Sequence, residues 1–168
     1  MSELQTEETI LETLKSHFGA KIQDGAIQRK RRINITVSDP VQRELVQFGM
    51  EKYNAWHLFG ISGVDTEEAI MLVYHFDIQP PVEDNYAITL SIHVVTDRDQ
   101  PKVQTVSDLV PGSGFFEREA HDLLGVVFEG NTNLDKLILP DDWPEGVYPL
   151  RKDFLLEIQK EQAAAKKE

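Results

Sequence analysis

Glu119 and Asp122 stand three residues apart within the run Phe115-Phe116-Glu117-Arg118-Glu119-Ala120-His121-Asp122. On a helix that spacing puts both carboxylates on one side, and two carboxylates so placed are the raw material of a general acid and a general base, as in a free-standing hydrolase. Arg118 beside them argues against this use. A neighbouring cation keeps both acids ionised, and an ionised pair has no proton to donate at neutral pH. The histidines His17, His57, His75, His93 and His121 are dispersed, with none of the close spacings of a helical metal site. His75 and His93 fall on two segments that alternate like paired strands, where a two-histidine site is conceivable. Gly112-Ser113-Gly114 lacks the lysine and the strand-to-helix spacing of a phosphate loop. The chain has zero cysteines, which excludes a thiolate nucleophile, a disulfide framework and any cysteine-ligated cluster or zinc. These residues therefore predict no catalytic side chain, no metal and no cofactor on this chain.

What they do predict is a docking surface. Arg118, Glu119 and Asp122 project to one side of the expected helix, while Phe116, Ala120, Leu123 and Leu124 form an apolar stripe on the other. Gly125 stops the helix, Val126-Val127-Phe128 returns to extended chain and Gly130 lets it turn again. A second cluster of alternating sign, Arg151-Lys152-Asp153, follows Pro149-Leu150. Arginine offers a planar fork of donors suited to carboxylates and carbonyls, so Arg118 and Arg151 are candidate anchors, with Trp143 either a local plug or an aromatic contact.

The elements that must carry this motif are legible upstream. Ile10, Leu11, Leu14 and Phe18, with Gly19 just after, give an amphipathic helix. Ile33, Ile35 and Val37 alternate as a strand, and Pro40 precedes a helix over about 41–53. Strands are expected at 58–64, 69–76 and 86–96, with a short segment near 102–106 at the sheet edge. Strands that follow one another without intervening helices imply an α+β fold, a mostly antiparallel sheet with helices on one side. The organisation expected is a sheet part over 1–106, the motif helix and an extended docking segment over 107–154, and a charged tail over 155–168.

Composition narrows the function classes. The chain has 168 residues, 40% hydrophobic and 27% charged, enough for one ordinary core. Seventeen Lys and Arg against 29 Asp and Glu give a formal charge of −12, which repels nucleic acid and anionic lipid alike. The basic run Arg29-Lys30-Arg31-Arg32 is a local exception, read as a solvated strand entrance or as salt bridges to the acidic excess in preference to a lipid- or nucleic-acid-binding patch. No window approaches the roughly 20 apolar residues of a membrane span, and a cytoplasmic location is expected.

One stretch is also similar to a known family. In the 30 kDa-type NADH dehydrogenase subunits of respiratory complex I and their membrane-bound hydrogenase relatives, a Glu-Arg-Glu helix leads through two glycines to Asp-Trp and Pro-Leu-Arg-Lys-Asp. The matching residues are Glu117, Arg118, Glu119, Asp122, Gly125, Phe128, Gly130, Asp142, Trp143, Pro149, Leu150, Arg151, Lys152 and Asp153. His121, Leu124, Asn131-Thr132 and Leu134-Asp135-Lys136 depart from the commoner pattern, which places the chain on a divergent branch. The resemblance implies a non-catalytic peripheral-arm subunit of an ion-pumping membrane-bound oxidoreductase, the energy-converting nickel–iron hydrogenase branch preferred. Sulfur-reducing, F(420)H(2) and NADH:quinone complexes are the alternatives. Its implied partners are the hydrogenase-like large subunit and the iron–sulfur subunits, reached from the cytoplasmic face of the cell membrane. The implied subunit interface is Glu117, Arg118, Glu119, Asp122, Trp143, Arg151, Lys152 and Asp153.

Overall fold

Period-2 apolar alternation builds the centre of the molecule. The computed structural model describes residues 5–53, 57–79 and 87–154. Its main strands are β1 (Ile22–Arg29), β2 (Arg32–Val37), β3 (His57–Asp65), β4 (Ala69–Ile78) and β5 (Ile88–Asp97), ordered β1-β2-β5-β4-β3 in one five-stranded sheet. Pairing is antiparallel throughout except between β2 and β5, which run parallel. Register carries Ile33–Leu90–Phe76, Ile35–Ile92–Tyr74 and Val37–Val94–Leu72 across three strands on one face, and each of these residues is at most 2% exposed.

Helices cover that face. α1 (Gln5–Phe18) contributes Ile10, Leu11, Leu14 and Phe18 to the core, and α2 (Val41–Tyr53) contributes Val41, Leu45, Val46 and Tyr53. Gly19, at φ +54°, ends α1 as its sequence position predicts. Glu7 of α1 is fully buried and accepts the Arg31 N–H at 2.7 Å, tying the helix to the β1–β2 turn that the basic run forms. On the opposite face of the sheet Phe59 stacks on His75 at 5.7 Å, and Val64 and Val95 are exposed.

The sequence reading finds α2 and the strands β2 to β5 close to their observed bounds, but it misses β1. Residues 102–106 also behave differently from expectation. β6 (Lys102–Gln104) does not extend the main sheet; it pairs in parallel with β7 (Val127–Glu129) as a separate two-stranded sheet. Between them α3 (Ser113–Leu124) packs on β3. The contact is close at Gly63, where a Cβ would lie 2.1 Å from Leu124 Cδ1. Val103, Val106, Val110, Ala120, Leu124, Val126 and Phe128 belong to the same core as the main sheet. Residues on either side of position 106 thus share one interior, and the expected tail over 155–168 lies outside the described residues. Among the described residues no helix is long and apolar enough to cross a membrane.

Candidate interaction surface

The first acid of the Glu-Arg-Glu helix does not face outward. Glu117 is fully buried, where its carboxylate accepts Thr105 Oγ1 (2.6 Å), the Val106 N–H (2.9 Å), Ser113 Oγ (3.3 Å) and Asn131 Nδ2 (2.8 Å). A buried carboxylate is tolerable only with its lone pairs filled in this way. Its partners come from the chain just after β6, from α3 itself and from the turn after β7, so this one side chain fastens the helix to the C-terminal ends of the two strands of the small sheet.

Arg118 and Asp122 are one helical turn apart, yet they do not pair with each other. Both grip the same extended segment. Arg118 donates through Nε to the Asp135 carbonyl and through Nη2 to the Lys136 carbonyl, each at 2.9 Å. Asp122 Oδ2 accepts the next N–H groups in line, Leu137 at 2.7 Å, Ile138 at 2.8 Å and Leu139 at 3.2 Å. A fork of donors and an anionic acceptor thereby fix five consecutive residues that have no ladder partner of their own. Burial pushes the Asp122 carboxyl upward, but the three N–H donors together outweigh it and hold the group below the usual carboxylate range. Lys136 continues the pattern: its ammonium donates to the carbonyls of Asp141 (3.0 Å) and Trp143 (2.9 Å). Half-buried Trp143 donates from Nε1 to the Val147 carbonyl at 2.8 Å, closing the Pro144-Glu145-Gly146 turn.

The Arg151-Lys152-Asp153 cluster closes the chain back onto the main sheet. Arg151 Nε donates to the Leu124 carbonyl at 2.9 Å, at the C-terminal end of α3 where a cation is favoured, and its guanidinium lies 4.7 Å from the centre of the Tyr148 ring. That ring fills the space over Gly125, at φ +77°, where a Cβ would come within 2.4 Å of it. At the end of β3, Asp65 receives both arms of Arg98, at 2.9 and 2.8 Å, together with the Lys152 N–H at 3.0 Å. Arg98 reaches on to Asp153 at 2.8 Å, and Lys152 Nζ pairs with Glu67 at 2.7 Å. The Arg98 guanidinium is the main reason the Asp65 carboxyl sits far below its ordinary range.

Of the eight residues read as an interface, Glu117 and Asp122 are enclosed by their own chain. Arg118, Arg151 and Lys152 donate to internal partners, Trp143 is half-buried, and Glu119 and Asp153 are exposed. Helical spacing placed these residues on one helix, but Glu119 opens away from the segment that Arg118 and Asp122 grip, and spacing does not show what the rest of the chain lays over each. Asp65, Arg98, Asn131 and Lys136 carry as much of this network and were missed. A signal for Lys136 was its place as the one Lys or Arg between Arg118 and Arg151.

The acid/base reading fails on geometry. Asp122 Oδ2 is saturated by backbone donors, and Glu119 opens instead onto a shallow depression shared with Ile61, Gly63 and Leu150. His75 and His93 lie diagonally on the bare sheet face, paired across the strands with Ser91 and Val73. The His75 ring bridges Ser62 (3.1 Å) and Ser91 (3.2 Å), and burial lowers the pKa of both histidines. Among the described residues no group of three His, Asp or Glu side chains is placed to hold a metal ion.

Comparison with known proteins places this geometry. Residues 35–160 match the family described as respiratory-chain NADH dehydrogenase, 30 Kd subunit. A subunit of the F(420)H(2) dehydrogenase of Methanosarcina mazei is 29% identical, over 87% of this chain and 90% of its own length. Membrane-bound hydrogenase subunit beta of Pyrococcus furiosus is 34% identical, over 74% of this chain and 70% of its own. A chain in the structure of the membrane-bound sulfane sulfur reductase, an archaeal respiratory membrane complex, superposes with a TM-score of 0.76 at 29% identity, covering 92% of this chain and 90% of that one. Against formate hydrogenlyase subunit 5 and hydrogenase-4 component G of Escherichia coli the chain spans only 27% and 26% of the relative's length.

Proposed function

We propose, from the premise that this chain belongs to the respiratory-chain NADH dehydrogenase 30 kDa subunit family, that it is a non-catalytic peripheral-arm subunit of an ion-pumping, membrane-bound oxidoreductase. Family members are subunits of oxidoreductase complexes and do not catalyse on their own. In this reading the chain holds the hydrogenase-like large subunit and the iron–sulfur subunits in register for electron transfer, at the cytoplasmic face of the membrane. It supplies shape and no redox group.

The observation that carries the reading is the way residues 130–154, the chain after β7, are held in place. A segment with almost no secondary structure of its own is fastened at Glu117, Arg118, Asp122, Lys136, Arg151 and Asp65, which a chain has reason to do when that segment must present a fixed surface. The Escherichia coli relatives support a tightly held partner, because in them the matching region is only about a quarter of a longer chain, 27% and 26%. The hydrogenase branch remains the preferred one. The F(420)H(2) dehydrogenase relative, matched over 90% of its length, and the sulfane sulfur reductase chain, over 90%, favour the neighbouring branches as the second reading.

Affinity purification of the tagged chain from detergent-solubilised membranes of its host tests this. The expected product is a multisubunit complex whose partner chains carry iron–sulfur absorbance. A chain recovered alone and in full from the soluble fraction would overturn the reading.

A further inference from the structure

Apart from the buried Glu117 and Asp122 and the paired Asp153, the carboxylates of the motif region face water, while its cations are engaged by their own chain. Arg118 and Lys136 donate to backbone carbonyls, Arg151 to the end of α3, and Lys152 pairs at the surface with Glu67. The carboxylates of Glu119, Asp135, Asp141, Asp142 and Glu145 point outward and make no hydrogen bond or ion pair with any described residue. Among them stand large apolar side chains in water: Leu137 is 39% exposed, Ile138 54% and Leu150 50%. These are not stray loop residues. Asp122 holds the backbone N–H groups of Leu137 and Ile138, and the Leu150 N–H is bonded to the Leu123 carbonyl at 3.1 Å. Apolar side chains held rigid and exposed cost solvation in the free chain and gain only when covered.

The sign of the surrounding charge decides what covers them. Nucleic acid and anionic lipid are repelled, as is a second copy presenting the same acidic face in a two-fold contact. We infer that Leu137 and Ile138, flanked along the chain by Asp135, Asp141, Asp142 and Glu145, together with Leu150, which borders a depression with Glu119, form the docking face for a basic protein surface on a partner subunit, with pockets for the apolar side chains. The eight-residue interface expected from sequence is thereby redrawn. The buried charges of the motif position this face, and the residues between them touch the partner. Rim carboxylates act on encounter rate and salt dependence, while the apolar side chains at the centre set the lifetime of the contact.

This inference rests on the reading of the chain as part of a complex, and the test separates the two. Because the chain has zero cysteines, a single introduced cysteine is a unique handle. Ile138→Cys and, on the bare face of the sheet, Val95→Cys are each built into the tagged full chain, assembled with the host complex and treated with a short cysteine-to-amine cross-linker. The expected result is a link from position 138 to a lysine of a partner subunit, with none from position 95. The second arm measures binding of the full chain to the complex stripped of it. The variant carrying Asp135→Asn, Asp141→Asn, Asp142→Asn and Glu145→Gln should bind about 10- to 100-fold more weakly at low salt, with most of that difference gone in 1 M salt. Links from position 95 alone, links only to a second copy of this chain, or unchanged binding of the charge-neutralised variant would overturn the inference while leaving membership of a complex intact. If no partner complex assembles at all, both fall.

Discussion

Replacing Glu117 by alanine should destabilise the chain severely, whereas the same change at Glu119, two residues along the same helix, should be nearly silent. Glu117 is 0% exposed and fills the hydrogen-bonding capacity of Thr105, Val106, Ser113 and Asn131. The two hydroxyls can turn to new acceptors, but the Val106 N–H is fixed by the backbone and would be left orphaned in the interior, at about 1–3 kcal/mol. Loss of the Asn131 contact and the cavity left by the side chain bring the total to about 3–5 kcal/mol. For a chain of this size each kcal/mol lowers Tm by about 2–4 °C, so Glu117→Ala should melt about 10 °C or more below wild type. Glu117→Gln keeps the volume but turns an amide N–H₂ toward donors, and should fall between. Glu119→Ala, exposed and unbonded to any described residue, should shift stability by about 0.5 kcal/mol or less. Urea denaturation followed by circular dichroism reads all three. A Glu117→Ala variant within about 1 kcal/mol of wild type, or equal losses at positions 117 and 119, would refute the assignment of Glu117 as the internal fastener.

Asp122→Asn should leave the helix in place but loosen the segment it grips, so that the amides of Leu137, Ile138 and Leu139 exchange with solvent about 10- to 100-fold faster while those of β4 and β5 are unchanged. Gly125→Ala forces a side chain into left-handed backbone at φ +77° and against the Tyr148 ring, and should cost about 1–3 kcal/mol in the same urea assay. Asp65, Asp108 and Asp122 all have depressed carboxyl pKa values in the fold, through Arg98, Arg43 and the backbone donors respectively. A depressed folded pKa contributes stability that is complete above the unfolded carboxylate pKa of about 4 and is lost as pH falls through the folded value. The melting temperature should therefore decline modestly below about pH 6.5, where His75 and His93 protonate more readily in the unfolded chain than in the fold, and fall steeply below about pH 4, less steeply in Asp65→Asn.

Where one face of an element is buried and the other wet, the sequence was readable. Val41, Leu45, Phe48 and Tyr53 marked α2 because their spacing follows its buried stripe, and Ile88 to Val94 marked β5 because alternate residues face the core. β1 was invisible for the opposite reason. As an edge strand, Ile-Gln-Asp-Gly-Ala-Ile-Gln-Arg has no fully buried residue, and so leaves no alternation to read. The parallel pairing of β2 with β5, and the small sheet of β6 and β7, depend on which distant segments meet, which periodicity does not encode. The motif shows the same limit at the site. Glu117, Arg118, Glu119 and Asp122 were correctly placed on one helix, but whether each faces water or its own chain depends on Thr105, Asn131 and the 135–139 segment, none of them helical neighbours.

The central claim, that this chain is a required but non-catalytic part of a membrane-bound electron-transfer complex, is tested most directly by deleting it. The measurement is electron-transfer activity in washed membranes of the host, compared among wild type, a strain lacking the chain and the same strain re-expressing it, with the purified chain assayed alone beside them. The account predicts activity reduced to background in the deletion, restored by re-expression, and no turnover by the isolated chain. Full activity in membranes without the chain, or turnover by the chain alone, would contradict it.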